Sequence, residues 1–139
     1  MAEAILKAGL KEAGRDDIDV SSMGIHALKE QKASADAVAV CAKHGVDLTH
    51  HISRQLVFDE LRTADFIFTM ERYHKDYIRT FVPQTGDKLA LLASWPGREK
   101  KDHEIPDPIG GTLEDYEKSF NAISSQINRI MPFLLAELI

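Results

Sequence analysis

A proline-flanked aspartate is the residue of this sequence whose surroundings best suit proton transfer. Asp107 lies between Pro106 and Pro108, and Gly110-Gly111 follow before a long amphipathic stretch. Pro108 biases the residue before it towards an extended backbone, so the chain itself holds the direction of the Asp107 carboxyl. General acid catalysis needs a carboxyl with a fixed direction and within hydrogen-bonding reach of a leaving group. Asp107 is therefore a candidate general acid, and the alternative is an ordinary Asp-Pro turn.

Length and composition indicate one soluble globular domain over residues 1–139. The chain is long enough for a substantial core, and its 44% apolar and 28% charged residues are ordinary for such a protein. The net charge of −5 argues against a nucleic-acid partner. We find no long apolar run and no signal peptide, so nothing indicates a membrane or secretion. The single cysteine excludes an intramolecular disulfide and fits a cytoplasmic location.

The chain alternates between helix and strand signals. Helices are predicted over 1–14, 34–44, 57–62, 71–81 and from 113 onwards, and strands over 17–25, 65–70 and 88–92. The run at 65–70 is almost continuously apolar, which is typical of a strand buried on both faces. Thr112 and Asp115 have the spacing of a capping box at the start of the last helix. This alternation predicts an α/β fold with a parallel sheet.

Each of the three predicted strands ends in, or leads into, residues of functional interest. Ligands of parallel α/β sheets bind at the carboxyl ends of the strands. Ser22 ends the first predicted strand, Met70 ends the second, and the segment that carries Asp107 follows the third. We therefore expect Asp107 at the functional edge of the sheet.

Five motifs occur in the order found in bacterial low molecular weight protein tyrosine phosphatases. They are Met1-Ala2-Glu3-Ala4, Val20-Ser21-Ser22-Met23-Gly24-Ile25, Gly45-Val46-Asp47-Leu48 with His51-Ile52-Ser53-Arg54, Ala64-Asp65-Phe66-Ile67-Phe68-Thr69-Met70, and Asp107-Pro108. Each motif is weak alone, but together they cover essentially the whole chain. The chain thus resembles this family, which implies a three-layer α/β fold and a phosphoric monoester hydrolase acting on phosphorylated proteins. Asp107-Pro108-Ile109-Gly110-Gly111 also resembles the branch that acts on phosphoarginine.

The resemblance implies roles for three residues around a bound phosphate. Asp107 would protonate the leaving phenolate of phosphotyrosine or the guanidine nitrogen of phosphoarginine. Ser22 and His51 match positions that hydrogen-bond the family's phosphate-binding loop from below. A strand-end serine and a surface-loop histidine are the alternatives for these two residues.

Three further residues match the walls of the family's substrate cleft. Ile109 falls where the family has an aromatic wall, and its aliphatic side chain would stack weakly on a phenyl ring. His26 and Leu28 fall on the opposite wall by analogy, with an ordinary loop as the alternative. We expect no cofactor and no metal site, because His44, His50 and His51 lack neighbouring cysteines and the helical spacing of a zinc site.

The family's nucleophile is absent from these 139 residues. In the family, a Cys-x-x-x-x-x-Arg loop after the first strand leads into a helix that begins much like Met1-Ala2-Glu3-Ala4. Here the one cysteine, Cys41, has Asp47 six residues on, and it lies near Val38 on a helix face typical of core positions. We therefore expect a chain that is shortened at its N-terminus, lacks the first central strand and is inactive as given. Open sheet edges should then cause self-association or leave a marginally stable monomer.

Two functions remain open at this point. The chain is either a phosphatase of this family represented by a shortened sequence, or a non-catalytic relative that acts as a binding or interaction module. Arsenate reductase on the same fold would need additional redox cysteines, so a single cysteine excludes it.

Overall fold

The structure of the chain, a computed structural model, describes residues 1–27 and 30–139. In chain order these residues form α1 (Ala2–Glu12), α2 (Ala35–Lys43), α3 (Phe58–Thr63), β1 (Ile67–Thr69), α4 (Arg72–Phe81), a 3₁₀ helix (Pro83–Lys88), β2 (Leu89–Leu91) and α5 (Leu113–Glu137). They fall into two compact units. Unit 1 comprises Met1–Gln55 with Pro108–Ile139, and unit 2 comprises Leu56–Asp107.

Unit 1 is built around α5, against which both α1 and α2 pack. Apolar residues spaced three and four apart give α5 one continuous buried face, made by Tyr116, Phe120, Ile123, Ile127, Ile130 and Leu134. Ile5 and Leu10 of α1 are buried, as are Val40 and Cys41 of α2. The core of this unit is therefore formed mainly by the apolar faces of three helices, with Ile25 and Leu48 added from loops.

The start of α5 confirms the predicted capping box. The Thr112 hydroxyl oxygen accepts a hydrogen bond from the Asp115 backbone N–H at 3.2 Å, and the Asp115 carboxylate accepts one from the Thr112 N–H at 2.9 Å. These bonds satisfy two backbone donors that the first turn of a helix leaves without partners. The helix therefore begins at a fixed residue, directly after the Asp-Pro segment.

Unit 2 contains a parallel strand pair with α4 packed against both strands. β1 and β2 pair in the register Ile67 with Leu89 and Thr69 with Leu91. Ile67 and Thr69 are buried, whereas Phe68, on the other face, is only half-buried. The rings of Phe66 and Phe68 stack at 6.0 Å. The prediction of a strand buried on both faces is therefore wrong, since one face carries partly exposed aromatic rings.

The predicted helices and two of the predicted strands are confirmed to within about two residues at their ends. The prediction of a strand over 17–25 is wrong. Within the described residues this segment forms only one isolated bridge, between Gly24 and Gln55. Asp17 and Asp19 alternate with Ile18 and Val20, but both apolar side chains stay half-exposed. Alternating polarity produces a strand only where a neighbouring strand takes up the backbone hydrogen bonds.

Candidate active site

The segment before Asp107 is fixed to the carboxyl end of β1. The backbone N–H of Ile105 donates to the carbonyl of Met70, one residue beyond β1, at 3.0 Å. The Glu104 carboxylate accepts from the backbone N–H of Arg72, the first residue of α4, at 2.9 Å. Ile105 is buried, while Asp107 is exposed two residues later. Within unit 2, the Asp107 carboxyl is therefore on an anchored loop and accessible from solvent.

The residues after Asp107 form a tight turn at the start of the second part of unit 1. The Gly111 N–H donates to the Pro108 carbonyl at 2.8 Å, and Gly110 has a φ of +77°. A positive φ at the third position is the requirement of a type II turn, and it favours glycine there. Ile109 is 77% exposed at the second position. The turn thus presents an apolar side chain to solvent, two residues along the chain from Asp107.

Ser22 and His51 both lie beside the carboxylate of Glu3, a residue of the Met1-Ala2-Glu3-Ala4 motif. The Ser22 hydroxyl donates to Oε2 of Glu3 at 2.5 Å, and Nδ1 of His51 lies 3.8 Å from the same oxygen. Lys7, one helical turn along α1, donates to Oε1 of Glu3 at 2.6 Å. Glu3 is therefore the centre of a polar cluster at the start of α1, which we call the Glu3 cluster: Glu3, Lys7, Ser22 and His51.

Burial and hydrogen bonding oppose each other in setting the charges of the Glu3 cluster. Burial raises the pKa of the Glu3 carboxyl, but the hydrogen bonds from Lys7 and Ser22 outweigh it and leave the pKa below its ordinary value of 4.5. Burial lowers the pKa of His51, and the attraction of the Glu3 carboxylate offsets this only in part. At neutral pH Glu3 is thus a carboxylate beside a neutral imidazole.

Replacing Glu3 should weaken unit 1 in a pH-dependent way. We expect Glu3→Gln to lower the free energy of unfolding at pH 7 by roughly 1–2 kcal/mol, since it removes a charged acceptor. Because the folded-state pKa is depressed, the contribution is present above 4.5 and is lost as the pH falls through the folded-state pKa. Urea denaturation at about pH 7 and about pH 3.5 should therefore show the difference shrinking. Glu12→Gln, at an exposed position of α1, is the matched control, and an equal effect of both changes would contradict the assignment.

His26 lies on a loop whose backbone is held by one side-chain amide. Gln55 accepts a hydrogen bond from the Ala27 N–H at 3.1 Å and donates to the Ile25 carbonyl at 2.5 Å. His26 is exposed between these two anchor points. Leu28, the other residue expected on this wall, lies outside the described residues.

A family model described as low molecular weight phosphotyrosine protein phosphatase matches residues 1–138. The chain belongs to this family. It is 31% identical over 123 residues, 88% of the chain and 79% of the relative, to the "Probable low molecular weight protein-tyrosine-phosphatase AmsI" of Erwinia amylovora. The low molecular weight protein tyrosine phosphatase from T. tengcongensis has a TM-score of 0.85 at 30% identity, covering 94% of this chain and 87% of the other.

A second similar structure adds chemistry to this family assignment. It is a variant of the YwlE arginine phosphatase whose active-site serine, which replaces a cysteine, is phosphorylated. Its TM-score is 0.86 at 25% identity, and the match covers 96% of this chain and 85% of that one. Together these structures confirm the predicted α/β fold with a parallel sheet flanked by helices. In the relative, the phosphoryl group is thus bound to the side chain at the position of a cysteine.

Cys41 does not have the surroundings of a phosphatase nucleophile. Its side chain is fully buried in α2, and burial raises the pKa of its thiol. A buried, protonated thiol is a poor nucleophile, because the thiolate is the reactive form. The expectation that Cys41 is a core residue is confirmed.

Two residues at the candidate site were missed by sequence reasoning. Glu3 is a carboxylate in the first turn of a helix, a common position that signals only a favourable interaction with the helix dipole. Gln55 lies in a connecting segment whose composition gives no sign that its amide binds another loop. Both act through contacts with residues 19 to 48 positions away, which no local pattern could reveal. Among the described residues, no helix is long and apolar enough to cross a membrane.

Proposed function

We propose that this chain supplies the scaffold and the general acid of a protein phosphatase that acts on phosphotyrosine or phosphoarginine. The observation that carries the proposal is Asp107, an exposed carboxyl on a loop anchored to the end of β1, in a chain that matches the phosphatase family over residues 1–138. Its substrates would be phosphorylated proteins. The single buried, reduced cysteine favours a cytoplasmic location.

The reaction would take place in two steps through a cysteinyl phosphate. A cysteine thiolate attacks phosphorus, the bond from phosphorus to the phenolic oxygen or guanidine nitrogen breaks, and Asp107 gives its proton to the leaving group. Water then attacks the phosphocysteine while the Asp107 carboxylate accepts its proton, which releases inorganic phosphate and restores the thiolate. The nucleophile for these steps is not Cys41. It requires the family's Cys-x-x-x-x-x-Arg loop, which these 139 residues do not contain.

The Glu3 cluster would hold the phosphate-binding loop next to the first turn of α1. Ser22 and the His51 imidazole carry hydrogen-bonding groups beside Glu3, whose negative charge is favourable close to a helix N-terminus. The unpaired N–H groups of a helix N-terminus favour an anion. We assign Ser22 and His51 as positioning residues of that loop, with Glu3 fixing both.

Ile109 and His26 would border the substrate on either side, with Leu28 completing the wall at His26. Because Ile109 is aliphatic and largely exposed, it offers apolar contact without the ring stacking that favours a phenyl group. This favours a substrate in which the phosphoryl group is on a flexible side chain, as in phosphoarginine. Phosphotyrosine remains the other substrate of the proposal.

A fusion protein tests this function. The strand and Cys-x-x-x-x-x-Arg loop that the family places before its first helix would be joined to Met1, and the fusion assayed with phosphotyrosine and phosphoarginine peptides. We expect turnover of at least one of the two, in the ordinary enzyme range of about 1 s⁻¹ or more. A folded fusion that hydrolyses neither peptide would contradict the proposal.

Ile109→Tyr in the fusion tests whether Ile109 borders the substrate. If it does, the substitution should raise kcat/KM for the phosphotyrosine peptide relative to the phosphoarginine peptide.

A binding module without catalysis is the second candidate that we propose for these 139 residues, because their one cysteine is buried in α2. In that case the 139-residue chain should bind a phosphorylated peptide more tightly than the unphosphorylated one and leave it intact. Calorimetric titration with both peptides separates this candidate from the phosphatase.

The partner that we propose for the chain on its own is a second copy of itself, bound through open strand edges. Within the described residues, β1 pairs with a strand on one side only, and both strands have only three residues. Unpaired strand edges recruit other chains. Light scattering should show a mass above that of the monomer. A monodisperse monomer that melts above about 65 °C would contradict this.

A further inference from the structure

The segment between Gly97 and Ile105 presents cations that have no partner among the described residues. Arg98, Lys100 and Lys101 are exposed, and their side chains make no hydrogen bond or ion pair within the described residues. We call these three residues the basic patch. The chain as a whole carries a net charge of −5, so the patch is opposite in sign to the rest of the protein.

Two of the three carboxylates of the same segment are paired with cations of α4. Glu99 forms an ion pair with Lys75 of α4, and the Glu104 carboxylate lies 3.6 Å from Nη1 of Arg72. Asp102 is the one acidic side chain of the segment that remains exposed without a partner in the described chain. The segment therefore faces solvent with three cations against one carboxylate.

The backbone beneath the basic patch is held in place. The Arg72 guanidinium donates to the carbonyls of both Lys100 and Lys101, the latter at 2.8 Å. The Ile105 N–H, bonded to the Met70 carbonyl, fixes the far end of the segment. These anchors use backbone carbonyls and leave the lysine side chains free. The backbone that carries the basic patch is thus fixed before a ligand binds, which removes the entropy cost of ordering the segment.

The basic patch lies within reach of a peptide bound at Asp107. Lys101 precedes Asp107 by six residues in the same unit, so their Cα atoms are at most about 20 Å apart. A substrate peptide of about six extended residues covers the same distance. We propose that the basic patch binds acidic side chains flanking the phosphorylated residue of a protein substrate. This inference rests on the proposed phosphatase function and names a class of substrate for it.

The test uses the 139-residue chain itself and needs no catalysis. The ¹⁵N-labelled chain would be titrated with an unphosphorylated glutamate-rich peptide and with a peptide in which glutamine replaces every glutamate. We expect amide shifts over residues 98–104 with the acidic peptide only, and these shifts should weaken at about 0.3 M salt. Lys100→Glu/Lys101→Glu should raise the dissociation constant about fivefold or more. Lys11→Glu/Lys118→Glu changes the net charge equally and should raise it less than about twofold.

Three results would overturn the inference. These are equal shifts from the two peptides, equal weakening by the two double variants, and larger shifts at the patch from single-stranded DNA of the same charge. Lys100→Gln/Lys101→Gln, which keeps the backbone anchors without adding negative charge, serves if the charge reversal unfolds the chain. If the fusion hydrolyses phosphopeptides but the acidic peptide does not bind, the inference fails and the phosphatase function stands.

Discussion

A polypeptide of these 139 residues is expected to show no turnover of p-nitrophenyl phosphate above the buffer rate. Phosphoryl transfer needs a positioned nucleophile and donors for the equatorial oxygens, and the one cysteine of the chain is buried in α2. Loss of a nucleophile together with its phosphate-binding arginine costs several orders of magnitude in kcat. The assay requires a preparation whose mass shows that it begins at Met1, with the fusion protein as the positive control.

Turnover by the 139-residue chain that depends on Cys41 would contradict this expectation. A turnover near 1 s⁻¹ that disappears in Cys41→Ser would show that Cys41 becomes accessible and acts as the nucleophile. Cys41→Ala also removes the thiol and should abolish the same activity. Cooperative melting of both variants would show that the activity is lost with the thiol and not through disruption of the core.

Removal of the Asp107 carboxyl should lower turnover of the fusion protein in proportion to the basicity of the leaving group. For a phosphotyrosine or phosphoarginine peptide, we expect Asp107→Asn to reduce kcat by about 10²–10⁴-fold, the usual contribution of a general acid. For a phenol acidic enough to leave without a proton, the loss should shrink towards about tenfold. Rates measured over a series of substituted phenyl phosphates therefore report the proton transfer itself.

Asp87→Asn is the matched control for the Asp107 experiment. Asp87 is also an exposed aspartate of unit 2, but it lies in the 3₁₀ helix. Its replacement should leave the leaving-group dependence unchanged. Equal losses for all leaving groups in Asp107→Asn would mean that the carboxyl has a structural role.

The local sequence is sufficient to predict features that depend only on neighbouring residues along the chain. The capping box of Thr112 and Asp115 joins residues three apart, and the buried face of α5 follows from its apolar spacing. The same holds for the tight turn at Gly110, where a positive φ favours glycine. Such features can be predicted because their hydrogen bonds and dihedral angles are set within one turn of chain.

The local sequence is insufficient to predict features that depend on a contact with a distant segment. Residues 17–25 alternate as a strand would, yet Gly24 alone pairs with another segment among the described residues. In β1, Phe68 was expected to be buried, and the neighbouring Phe66 and Trp95 instead surround it on a half-exposed face. Strand formation and burial depend on partners, and alternation does not name the partner.

The candidate site also contains features that local sequence predicts and contacts between distant segments that it does not predict. The stiffness of the Asp107 loop could be predicted from its prolines, but its anchor, the Ile105 bond to Met70, spans 35 positions of the chain. Ser22 and His51 were selected through the family resemblance, whereas Glu3, which joins them, was not selected as a site residue. Residues that carry the chemistry have recognisable types, but residues that position them are recognised only by their contacts.

The proposal that Asp107 assists the cysteine of the family's Cys-x-x-x-x-x-Arg loop is tested most directly by trapping the phosphoenzyme. The fusion protein would be mixed with a phosphopeptide, quenched in acid within its first turnovers, digested and examined by mass spectrometry. We expect one phosphoryl group on the cysteine of the added loop, and its accumulation should fall in Asp107→Asn when the leaving group is poor. A phosphoryl group on Cys41, or hydrolysis with no phosphocysteine at either position, would contradict the claim.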